Sequence, residues 1–222
     1  MNRNNTVRIL PILALSLVAM PALAQQTALL DYGNDDFVTG RQFYSEVDRA
    51  RIATALDSVA SDATRAMGKD FVILGDAAGA FSAPGTQEHI YLIQKEAPVA
   101  IDPFPKGPAP LLLALKDDGV AGVWTLPADG QYQRLVAAAD GNGDGRSEVL
   151  LEGAFMNMGE LNMSVDVATL DDKGQATVQQ TLSEVLIDSC ENEGGTKARK
   201  AAVVSVGPDG FTTEQRDIGC GS

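Results

Sequence analysis

The chain is poor in the residue types from which most catalytic and metal sites are assembled. It holds one histidine, His89, and two cysteines among 222 residues. A single histidine excludes a zinc site built on paired imidazoles, and no G-x-S-x-G, H-E-x-x-H or glycine-rich phosphate loop occurs. His89 sits in the strand-like run EHIYLI with no evident triad around it. It therefore reads as a neutral strand side chain rather than a catalytic base. Bases are scarce as well: 17 Lys and Arg stand against 30 Asp and Glu, a formal net charge of −13. Such a field repels phosphate backbones and anionic lipid, which excludes nucleic acid and attracts cations or a basic protein. Past the first two dozen residues, nothing approaches the roughly 20 apolar residues that a membrane-spanning helix needs.

The first 24 residues have the grammar of a secretory signal. MNRNNTVR carries Arg3 and Arg8, the apolar run ILPILALSLVAM follows, and PALA places Ala22 and Ala24 at the −3 and −1 positions of a cleavage site before Gln25. No cysteine stands there for a lipid anchor. The expectation is a periplasmic or secreted protein that does not insert into the membrane after cleavage. Losing this segment removes two arginines and no acid, so the exported residues 25–222 are more acidic still. Both cysteines, Cys190 and Cys220, lie in the exported part, where an even count implies one disulfide. Between them ARKAAVVSVGPDGFTTEQRDI looks like two strands around the turn GPDG, so the bridge clamps the ends of a hairpin. Closing such a loop is worth about 3–4 kcal/mol in the chain-entropy model.

Residues 25–38 read as a polar leader ending at DDFV. A helix over about 40–67 follows, with Thr39 and Gln42 as a capping box and Val38 and Phe43 as its hydrophobic staple. Ile52, Leu56, Val59, Ala60, Ala63 and Met67 recur at steps of three and four, and Arg65 and Gly68 mark the end. The pattern then changes to short strands. DFVILG and EHIYLIQK come first, followed by a connection, 97–110, with five prolines. PLLLALK, AGVWTLP, YQRLVAAA, SEVLLEGAF, ELNMSVDVATL and ATVQQTLSEVLI complete the set, separated by DDG, ADG and DDKG turns. The expected fold is α+β and mainly antiparallel β, as one domain over 25–222. It has an N-terminal amphipathic helix and a β-rich part from about 70, arranged as a β-sandwich or a partial propeller-like sheet.

One loop asks for a metal. In AAADGNGDGRSEVLLEG (137–153), Asp140, Asn142 and Asp144 alternate with glycine, then come Gly145 and Glu148. Alternation lets positions 1, 3 and 5 converge, and glycine permits the tight winding that Ca²⁺ requires of an oxygen cage. Arg146 would add its carbonyl at position 7 and Glu148 its carboxylate at position 9. These donors are hard oxygens, and nothing soft enough to select a transition metal is present. An EF-hand is excluded, because position 12 is Leu151 and the flanks are strands. The segment resembles the calcium loop of FG-GAP or VCBS-type repeats from integrin-like β-propellers, D-x-[DN]-x-D-G-x-x-[DE] running into an apolar strand and, here, Gly153. The resemblance implies Ca²⁺ bound by Asp140, Asn142, Asp144, Arg146 and Glu148. It covers about 17 residues, and the remaining chain is too short for a whole propeller.

A fainter echo lies upstream. GAFSAPGTQEHIYLI (79–93) aligns on 139–153 with Gly85 on Gly145 and Glu88 on Glu148. Ala80, Ser82 and Pro84 then replace the three ligands, so this copy is expected to be a metal-free turn. The methionines of FMNMGELNM are expected to face the core of a hairpin turning at Gly159–Glu160, rather than to bind Cu(I). Asp31, Asp35 and Asp36 read as a solvated acidic group. Taken together these features favour an exported, calcium-binding, non-enzymatic module that binds another macromolecule, a basic protein or an envelope glycan. Two alternatives stay open: an inhibitor or immunity-type protein with an acidic face for a basic enzyme, and a hydrolase with a carboxylate pair assembled in space.

Overall fold

The computed structural model describes residues 26–101, 107–117 and 119–220; the signal-like segment 1–24 and part of the proline-rich connection lie outside them. The described residues form eleven strands and three short helices. No helix among them is long and apolar enough to cross a membrane. The fold is α+β and mainly antiparallel β, as the strand-and-turn pattern implies.

The helical region differs from the single helix expected over 40–67. Asp35–Thr39 forms α1, Glu46–Ser58 forms α2 and Asp62–Met67 forms α3. Local capping outweighs the long-range periodicity. Ser45 and Asp48 make a reciprocal capping box that starts α2, Ser61 and Thr64 make a second that starts α3, and Val59 between them is extended. Thr39, expected as a cap, instead ends α1 and donates its hydroxyl to the Asp35 carbonyl. Phe43, expected in a staple, is 94% exposed. Gly68 does end the helical region, with φ +63°. Ile52, Leu56 and Met67 are buried, so the periodic face is shared across the break.

Strands β2 (Val72–Gly79), β3 (Glu88–Gln94), β4 (Leu111–Lys116) and β5 (Gly119–Thr125) form a four-stranded antiparallel meander. Strands β6 (Arg134–Ala139), β7 (Glu148–Asn157), β8 (Glu160–Leu170) and β9 (Ala176–Asp188) form a second one. The second continues into β10 (Arg199–Gly207), which carries β11 (Gly210–Asp217), giving a seven-stranded sheet. Its last member is β1 (Thr27–Asp31), in the stretch expected to be a polar leader. Strand β9 pairs only with residues 199–201 of β10, leaving that side of residues 203–206 to β1. The pairing partner lies more than 170 residues away, so no local pattern in TALLD announces a strand.

The two meanders enclose one core. Ile90, Leu92, Leu112 and Ala114 from the smaller sheet meet Leu135, Val149, Leu151 and Ala168 from the larger, with Phe81 and Trp124 between them. The sheet nearly closes on itself. The edge strand β2 runs beside β6, and the end of β5 reaches the β8–β9 turn through Thr125 N–H to the Gly174 carbonyl, 2.9 Å. Helices α2 and α3 cover the outer face through Leu111, Leu113, Leu115 and Ile93. Strand β4 is therefore buried on both faces, which is why LLLAL is a continuous apolar run rather than an alternating one. A third cluster under β1 and α1 buries Tyr32, Val165, Leu186 and Val204.

The disulfide expected between Cys190 and Cys220 is present, with Cα atoms 5.6 Å apart. It clamps the open end of the β10–β11 hairpin, whose turn falls at Pro208–Asp209 as expected. Two other expectations fail. Asp31 and Asp35 are not merely solvated: they bind Arg216 at 2.8 Å and Arg199 at 2.6 Å, tying the N-terminal segment to the C-terminal hairpin. The β7–β8 hairpin turns at Met158–Gly159, both at positive φ, and only Met163 is buried; Met156 and Met158 face outward.

Candidate functional site

The loop 140–147 joins β6 to β7 and is wound by its own side chains. Asp140 accepts the Gly143 N–H on Oδ1 (2.7 Å) and the Gly145 N–H on Oδ2 (2.9 Å). Asn142 Oδ1 accepts from Asp144 N–H and Asp144 Oδ1 from Arg146 N–H, both at 2.8 Å. These are Asx turns, and Gly143 and Gly145 supply the left-handed residues between them. Glu148, at the start of β7 and 5% exposed, closes the loop by accepting from Gly141 N–H (2.7 Å) and Asn142 Nδ2 (2.6 Å). Burial raises the Glu148 pKa, and the charges of Asp144 and Asp140 add to it; the Gly141 N–H works the other way. A cation beside those acids would oppose that repulsion.

The loop 80–87, between β2 and β3, has the same construction 60 residues earlier. Glu88, also 5% exposed, accepts from Phe81 N–H (2.9 Å), Ser82 N–H (2.8 Å) and the Ser82 hydroxyl. Phe81 and Ser82 are the counterparts of Gly141 and Asn142, and Gly85 has positive φ like Gly145. Here burial raises the carboxyl pKa, but the hydrogen bonds from Ser82 and Phe81 outweigh it and the net shift is downward. With Ala80, Ser82 and Pro84 in place of Asp140, Asn142 and Asp144, no neighbouring charge opposes them.

The two loops also touch each other. Gly85 N–H donates to the Gly145 carbonyl (3.2 Å), Ser147 N–H to the Ala80 carbonyl (2.7 Å), and Pro84 packs on Gly145. Lower down, the counterparts Gly75 and Leu135 meet backbone to backbone. Arg146 turns its side chain away from its own loop, donating Nε to the Phe81 carbonyl and pairing with Asp172, each at 3.0 Å. Its N–H already serves the loop through Asp144, and its carbonyl is the group that could face a cation there.

Asp140, Asn142, Asp144, Arg146 and Glu148 are therefore brought together as one structural unit. Their hard oxygens suit Ca²⁺, and as placed they are engaged with loop amides. Among the described residues, no three His, Cys, Asp or Glu side chains stand close enough to hold a metal ion in their present positions.

Two further polar clusters have no sequence motif. Glu152, 1% exposed, takes a bidentate bond from Arg134 (2.9 Å twice) and one from the Tyr32 hydroxyl (2.9 Å). Arg134 also donates to the Phe37 and Gly40 carbonyls and lies 4.6 Å over the Phe37 ring. The cluster is structural, fastening β1 and α1 to the second meander. The other joins His89 Nε2 to Asp76, whose second oxygen accepts the Tyr44 hydroxyl at 2.6 Å. His89 is therefore not a lone strand side chain but one end of an Asp–His pair, lining an open cleft of about 700 Å³ with Arg51, Thr86 and Asp117. Among the described residues that line that cleft, Thr86 carries a hydroxyl and no serine or cysteine is present.

Comparison with protein-family models, with curated proteins and with solved structures finds no match for this chain.

Proposed function

We propose that this is an exported, calcium-binding β-rich module whose ion fixes a loop rather than activating water, and whose role is to bind another macromolecule. One observation carries the reading. The same loop is built twice, closed both times on a buried glutamate, and only the copy at 140–148 places oxygen donors at positions 1, 3 and 5. Glu88 closes its loop with no acids around it, so closure on the glutamate does not by itself call for acids at positions 1 and 5. A ligand explains them. Asp140, Asn142 and Asp144 would bind through side chains, Arg146 through its carbonyl, and Glu148 through its carboxylate. The two four-stranded meanders are then two copies of one FG-GAP- or VCBS-like unit, of which one keeps its cation.

The absence of a recognised catalytic motif favours binding over hydrolysis. The acidic balance favours a basic protein over a glycan as the partner. Thermal melting of residues 25–222 with calcium and with chelator tests the ion: saturation near a hundredfold excess over Kd would add about 2.7 kcal/mol. An unchanged melting temperature sinks the proposal.

A further inference from the structure

Among the described residues, seven large apolar side chains are exposed, and five of them gather in one place. Phe155, Met156 and Met158 form the tip of the β7–β8 hairpin, and Val99 and Ile101 lie beside it, held there by Met156 N–H to the Ala100 carbonyl at 2.8 Å. Phe155 and Met156 project from opposite faces of the two-stranded ribbon, because successive strand residues alternate. The tip therefore presents apolar surface on both sides. At its apex Met158 has φ +49° and is 87% exposed. That position of a two-residue hairpin turn favours asparagine, aspartate or glycine. A methionine there gains nothing from the turn and nothing from the core.

The surroundings are acidic. Residues 153–170 contain Glu160 and Asp166 and no base. The loop 189–195 packs on the turn, with Glu191 and Asn192 backbone atoms about the Gly159 Cα, and it adds Glu191 and Glu193. The nearest base along that loop is Lys197. An exposed apolar cluster flanked on the hairpin side by Glu160, Glu191 and Glu193 fits an interaction site.

We infer that the β7–β8 tip is the docking element of the module, and that its occupant is a basic polypeptide whose apolar side chains are flanked by Lys or Arg. A second copy of this chain would bring a like-charged rim against Glu160, Glu191 and Glu193, which charge disfavours. The inference rests on the binding-module reading of the function but not on its calcium.

The probe is a synthetic amphipathic peptide of lysine and leucine, titrated by calorimetry into residues 25–222. The expected result is saturable binding that F155S/M156S/M158S weakens about tenfold or more. Replacing the other exposed pair, F43S/V47S, leaves it unchanged. A lysine–serine peptide binds far more weakly, since charge alone is not the determinant. Circular dichroism confirms that the variants fold. Equal binding by the tip variant overturns the inference, as does equal binding of a glutamate–leucine peptide. So do a dimer that the tip variant dissolves, and binding to phosphatidylcholine vesicles in place of the peptide. The titration is run with calcium and with chelator, so tip binding that persists in both leaves the inference standing even where the calcium reading fails.

Discussion

Gly75 and Leu135, 60 residues apart, meet across the seam between β2 and β6: a Cβ on Gly75 would lie 2.4 Å from the Leu135 carbonyl oxygen. Gly75 also has φ +118°, which side-chain-bearing residues rarely adopt. Gly75→Ala therefore meets rigid backbone and strains its own. We expect a loss of about 2–3 kcal/mol in urea unfolding. A near-neutral result would mean that the two meanders do not approach this closely.

Glu88 makes stability depend on pH in a defined direction. Its folded carboxyl titrates below the ordinary 4.5, because the hydrogen bonds of Ser82 and Phe81 favour the charged form against burial. The folded chain then binds fewer protons than the unfolded one between the two values. The stabilisation is present above about 4.5 and is lost as pH falls through the folded value. Glu88→Gln should cost about 1–3 kcal/mol at pH 7 and progressively less in acid, read from paired denaturant melts.

How much of this was legible in the sequence varies with how local the cause is. The turn grammar GPDG, DDKG and DGNGDG located most strands, because turns are fixed by a few adjacent residues. The loop 140–148 was legible for the same reason. Strand β1 was not, since its hydrogen bonds come from residues 203–206. The helix break at Val59–Ser61 was hidden because Ile52, Leu56 and Met67 share one buried face on either side of it. The methionines misled because hydrophobicity alone does not say whether a hairpin tip reaches the core. Glu88 and Glu148 could be aligned by eye, but that both are buried acceptors follows only from the packing of β3 and β7.

If the acids of the second loop are what the first lacks, they should be transferable. Ala80→Asp, Ser82→Asn and Pro84→Asp together rebuild the spacing around Glu88. If the proposed calcium reading holds, calorimetry should then count one more calcium ion per chain than in the parent. A count that does not rise would separate the loop's shape from its affinity.

Removing Arg134 should hurt more than removing the Tyr32 hydroxyl. Tyr32→Phe leaves Glu152 its bidentate arginine and should cost about 1–2 kcal/mol. Arg134→Met strands a buried carboxylate and frees the Phe37 and Gly40 carbonyls, at about 3–5 kcal/mol. Equal losses in the two unfolding titrations would show that the arginine fork holds Glu152 no more firmly than the Tyr32 hydroxyl does.

The pairing of β1 with residues 203–206 also sets an order of assembly. The earliest strand of the described chain has no lateral partner until almost the last ones have been made. Tyr32 can already reach Glu152, but β1 itself must wait without a strand partner while some 170 residues are synthesised, and the two ends then lock together through Asp31–Arg216 and Asp35–Arg199. A chain cut short before β10 loses its beginning as well as its end.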